Sequence, residues 1–164
     1  MKKKLIWGIL IVVVITLFAI QRVEVTPNNS GVDSLDITRA FPTSHRVKTL
    51  LQTACYDCHS NEVKYPNYAY VAPVSWSIKH HVNEGKENVN FSEWMTYNKD
   101  QKDHILDEII ETIERKEMQF KGYIPMHPEA DLTDAQRKIL IDYFKEVDTL
   151  TIATDERIII DKIR

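Results

Sequence analysis

The chain has 164 residues, with 21 Lys and Arg, 24 Asp and Glu, a formal net charge of −3 and only two cysteines. That length suits one domain with an appendage. Beyond residue 22 there are 17 basic against 24 acidic residues, a net of −7, which disfavours a nucleic-acid partner and favours a cationic one.

Residues 1–22 contain Lys2, Lys3, Lys4 and Arg22 and no acid. Leu5 to Ile20 is free of charge, 16 residues that as a helix would reach about 24 Å. The lysines in front orient such a segment with its amino end in the cytoplasm. No small-x-small cleavage pattern follows it, so an uncleaved signal anchor is expected rather than a cleaved signal peptide. On that expectation a single transmembrane helix (1–22) sits in the cytoplasmic (inner) membrane and the carboxy-terminal domain faces the periplasm. Residues 23–42 read as a linker, because Pro27-Asn28-Asn29-Ser30-Gly31 is a run of turn formers. Whether Asp33 to Phe41 packs on the domain is left open.

A first domain helix is expected from about Ser44 to Ala54, with Val47, Leu50, Leu51 and Ala54 on one face. It leads directly into Cys55-Tyr56-Asp57-Cys58-His59. C-x-x-C-H is the order of a c-type haem attachment site. Two thiols separated by a two-residue spacer reach two vinyl groups of one porphyrin, and the following imidazole can bind the iron as proximal ligand. A dithiol redox pair would normally sit in a βαβ context, and none is visible. A structural zinc site would need further ligands at zinc spacing.

Ser60 to Val71 reads as irregular, with Tyr65, Tyr68 and Tyr70 available to pack on a haem or bond a propionate. A carbonyl of this loop is expected to accept the His59 Nδ1 proton. A second helix is expected from about Pro73 to Glu84, striped by Val74, Ile78 and Val82 and stopped by Gly85. His80 and His81 lie on it and are weak candidates for the iron. A third helix should run from Lys99 or Asp100 to Glu117, apolar along Ile105, Ile109 and Ile113. The loop 118–131 holds Met118, Met126 and His127. Thr133 and Gln136 form a capping box for a fourth helix with Ile139, Leu140, Tyr143, Phe144 and Val147 inward. The tail 150–164 fits either more helix or a short strand. The expected fold is all-α: a small cytochrome c-like haem domain, residues 43–149, of about four helices with long loops.

The chain resembles the bacterial haem-binding domain family of small c-type cytochromes. The matching stretches are Cys55-Tyr56-Asp57-Cys58-His59-Ser60-Asn61, Ala72-Pro73-Val74-Ser75-Trp76, Val82-Asn83-Glu84-Gly85, Asn90-Phe91-Ser92-Glu93-Trp94, Glu117-Met118 and His127-Pro128-Glu129-Ala130. The resemblance implies one haem c per chain, on Cys55, Cys58 and His59. It also implies a distal iron ligand at Met118, the family's recurring methionine, with His127 or Met126 as alternatives. In the family a proline usually follows this methionine, whereas here Gln119 does. The expected role is single-electron transfer with redox proteins, not catalysis. The competing roles are a five-coordinate haem sensor or peroxidase-like enzyme, and a zinc-stabilised interaction module.

Overall fold

The computed structural model describes residues 2–20, 33–118 and 121–163. All regular structure among them is helical: α1 (Lys2–Ile20), α2 (Ile37–Ala40), α3 (His45–Ala54), α4 (Tyr56–His59), α5 (Val74–Asn88), α6 (Lys99–Glu114) and α7 (Asp134–Ile163). Short 3-10 segments punctuate the loops, at Asn67–Tyr70, Phe91–Thr96 and Pro128–Ala130 among others. The four long helices of the domain, α3, α5, α6 and α7, correspond to the four expected. The four-residue helices α2 and α4 are too short to carry a periodic signal.

The expected anchor is overturned. No helix among the described residues is long and apolar enough to cross a membrane, which also removes the inner-membrane, periplasm-facing placement. α1 opens on three lysines, and the remaining 16 of its 19 residues extend only about 24 Å against a hydrocarbon core of roughly 30 Å.

The helix ends follow local chemistry. Ser44 Oγ accepts the Val47 amide at 3.2 Å and starts α3. Asn98 and Gln101 form a reciprocal capping box at the start of α6. Thr133 and Gln136 do the same for α7, where the Thr133 amide donates to Gln136 Oε1 at 2.8 Å. α6 stops three residues earlier than expected. Lys116 turns left-handed at φ 57°, Glu117 N donates to Thr112 O at 3.1 Å, and Lys116 N donates to Ile113 O at 3.2 Å. Those two bonds are a Schellman cap with lysine in the position usually given to glycine. At the other end of the chain, α7 settles the open tail, since its backbone stays helical to Ile163.

The core lies between α6, α7, α3 and the Phe91–Thr96 segment. α6 contributes Ile105, Leu106, Ile109 and Ile113, and α7 contributes Leu140, Tyr143, Phe144 and Val147. Each such side chain contributes about 1.5–3 kcal/mol when fully buried. The segment before α3 also joins this core. Ile37 is fully buried, and the buried Asp36 carboxylate accepts the Tyr56 hydroxyl at 3.0 Å as well as the amide and hydroxyl of Thr38. Tyr56 belongs to the C-x-x-C-H motif, so the residues ahead of the domain grip the motif from behind.

Candidate haem site

Cys55 is the hinge between two helices. Its φ of −125° ends α3, and its carbonyl then accepts the amides of Cys58 (3.1 Å) and His59 (2.9 Å), closing α4 as one turn. Both cysteines are unbridged and half-buried. The dense packing around them disfavours the charged thiolate, pushing Cys55 up to about 12 and Cys58 up to about 11. A catalytic redox pair needs the opposite, a depressed thiol. Among the described residues no group of three or more His, Cys, Asp or Glu side chains converges to hold a metal ion.

α5 packs backbone to backbone on α4 at a glycine. A Cβ on Gly85 would lie 2.6 Å from the Cys58 carbonyl oxygen and 3.1 Å from the Cys58 Cβ. Gly85 therefore does not stop the helix, as its position suggested. The helix continues to Asn88, and the glycine is where the motif comes closest. The buried face of α5 is accordingly Ser75, Val82 and Gly85, with Val74 exposed instead of facing the core.

This close approach orients His59. Nδ1 donates to Gly85 O at 2.8 Å, with Val89 O a longer second acceptor at 3.3 Å. The acceptor comes from the end of α5 and not, as expected, from the loop after the motif. A proton on Nδ1 leaves the Nε2 lone pair free, the form that binds a metal. Burial lowers the His59 pKa, while the two carbonyl bonds pull the other way, so the ring is held neutral. Phe91, itself stacked on Tyr56 and Phe144, lies 6.1 Å from the imidazole.

A buried polar cluster fixes the stretch that supplies these carbonyls. Asn61 N donates to Ser92 Oγ (3.0 Å), and Asn90 Nδ2 donates to Asn61 Oδ1 (2.9 Å). Ser92 N donates in turn to Asn90 Oδ1 (3.2 Å). The residues after His59 are thereby locked to those after α5.

The candidate distal ligands differ in their surroundings. Met118 leaves the end of α6 partly buried against the same core cluster as Cys55. Met126 is 58% exposed. His127 has both nitrogens engaged: Nδ1 donates to Glu129 at 3.3 Å, which leaves Nε2 to accept from Tyr68 OH at 2.8 Å. His80 and His81 lie within reach of Glu84, at 3.4 and 3.5 Å, on the outer side of α5. Sequence reasoning missed Tyr123, whose hydroxyl donates to Asp57 Oδ2 at 2.7 Å across 66 residues of chain. No local pattern marks such a contact.

The donor set fits a haem. It offers an oriented neutral imidazole and two free sulfurs one helical turn apart. It also offers exposed apolar surface at Tyr70, Val71, Val74 and Trp76, in and just before the helix that carries the His59 acceptor. A model of a haem-binding domain matches residues 11–146 of the chain. No curated protein and no solved structure gives a match. With most of its length covered by that model, the chain belongs to the haem-binding domain family, and haem is its cofactor.

Proposed function

We propose that the chain is a monohaem c-type cytochrome that transfers single electrons. The observation that carries this reading is the His59 Nδ1 bond to Gly85 O at 2.8 Å, one residue beyond two unbridged cysteines. When bound, the haem supplies a one-electron couple between ferric and ferrous iron. Cys55 and Cys58 are the sulfurs for its vinyl groups, and His59 Nε2 is the proximal ligand. Met118 is the distal ligand of this reading, because it is the candidate whose side chain is neither exposed like Met126 nor engaged like His127.

The chain's part is to orient and to exclude. Gly85 and Val89 hold the imidazole plane, Phe91 and the core behind it keep water from one side, and Asn61, Asn90 and Ser92 keep these pieces in register. A thioether at the sixth position raises the potential relative to a second histidine. The net charge of −7 beyond residue 22 suits a cationic redox partner. A reduced-minus-oxidised spectrum of wild type, Met118→Ala and His127→Ala tests the ligand set. Met118→Ala should abolish the weak red band of a thioether-ligated ferric haem, and His127→Ala should keep it. Loss of the band in His127→Ala alone would reverse the assignment.

A further inference from the structure

Asp57, the residue directly before Cys58, is the meeting point of two loops. Its Oδ1 accepts the Lys64 amide at 3.0 Å, and its Oδ2 accepts the Tyr123 hydroxyl at 2.7 Å. The Tyr123 ring stacks flat on His127, with centroids 4.1 Å apart and planes within 9°. His127 in turn accepts the Tyr68 hydroxyl at 2.8 Å and donates to Glu129 at 3.3 Å. The loop after the motif and the loop after α6 are thus tied to each other and, through one carboxylate, to the turn between the cysteines.

Met118 follows the end of α6, which is fixed. The Schellman bonds of Lys116 and Glu117 set the direction in which the chain leaves α6. Five residue steps later Tyr123 is pinned to Asp57, a stretch of at most about 18 Å. A hydrogen bond to a carboxylate is among the stronger kinds, and this one closes a long loop.

We infer that Tyr123 is a positioning residue for the haem site: its hydroxyl, fastened to Asp57 beside Cys58, fixes where the segment carrying Met118 comes to lie. His127 belongs to the same clasp through its stacked ring. The inference rests on the reading of Met118 as distal ligand and extends it to the residues that set the ligand's place.

The test uses the full chain loaded with haem, comparing wild type with Tyr123→Phe, Asp57→Ala, the double variant and Met118→Ala. Haem content, the red ferric band and the rate of carbon monoxide binding to the ferrous protein are measured on each. Tyr123→Phe should retain haem, lose most of the band and bind carbon monoxide on the order of tenfold faster, the effect of losing one hydrogen bond to a charged group. Asp57→Ala should match it, and the double variant should be no worse than either single one. A wild-type band that persists unchanged in Tyr123→Phe, with an unchanged carbon monoxide rate, overturns the positioning role and leaves Met118 in place. A wild type with no such band removes Met118 as ligand and this inference with it. If Tyr123→Phe fails to retain haem, Asp57→Ala decides between these outcomes by the same two readouts.

Discussion

At Gly85 a single hydrogen in place of a methyl group sets the depth to which α5 settles on the motif. The residue also contributes the carbonyl that orients His59. Gly85→Ala puts a carbon 2.6 Å from a backbone oxygen that cannot swing aside, so α5 must lift. Overpacking of this kind costs about 1–3 kcal/mol, and the better helix propensity of alanine returns at most about 1. A net destabilisation of about 1–2 kcal/mol is expected in urea unfolding, together with a weaker His59 bond and lower haem retention. An unchanged midpoint and full haem content would show that α5 has room to spare. From the sequence Gly85 reads as a helix stop, whereas the helix runs on to Asn88 and the glycine is a close approach. What it approaches, Cys58, lies far away in the sequence and leaves no trace in the periodicity.

The cysteines give a second prediction at this scale, with a definite sign. Burial raises both thiols, so at neutral pH they are uncharged, and the reactive thiolate appears only as pH climbs toward about 11 and 12. In the haem-free chain, alkylation at pH 8 should be at least about a hundredfold slower than for a free cysteine, rising with each pH unit into the alkaline range. Rapid alkylation with a plateau near pH 7 would instead indicate an activated dithiol. The C-x-x-C-H motif itself was fully legible. The charge state of its sulfurs depends on packing and was not.

At the scale of elements, caps were the readable part. Ser44 and the Thr133–Gln136 box lie where their side chains can reach backbone amides three residues on, and α3 and α7 begin there. The end of α6 was misread because its stop is a left-handed lysine, which carries no compositional mark. A non-glycine residue in that region costs about 1–2 kcal/mol. Lys116→Gly relieves it, at the loss of an exposed ion pair with Asp134 and some added chain entropy when unfolded. A gain of about 0.5 kcal/mol is expected in chemical denaturation, and a loss of stability would mean that the Asp134 pair matters more than its exposure suggests. Tyr56→Phe probes the other hidden joint, between α2 and the motif. Removing its hydroxyl takes a buried partner from the Asp36 carboxylate and should cost about 1.5–3 kcal/mol. A change under half a kilocalorie would show that the segment ahead of α3 does not hold the motif.

At the scale of the whole molecule, the apolar stripes of α3, α6 and α7 were enough to place the core and three of its four long helices. The amino-terminal reading failed on length. Sixteen uncharged residues satisfy a hydropathy argument but not the span of a hydrocarbon core, and a run without charge is a weaker statement than a helix that crosses. The haem reading survives that correction because it rests on the motif's own geometry: an imidazole fixed by the Gly85 and Val89 carbonyls, with two thiols beside it.

Intact-chain mass spectrometry after acidified-acetone extraction tests that geometry most directly. Wild type matured with the haem-attachment machinery should run heavier by one haem and keep its colour, whereas Cys55→Ser/Cys58→Ser should release all of its pigment into the solvent. A wild-type chain at its bare polypeptide mass, with the haem in the acetone, would contradict covalent attachment.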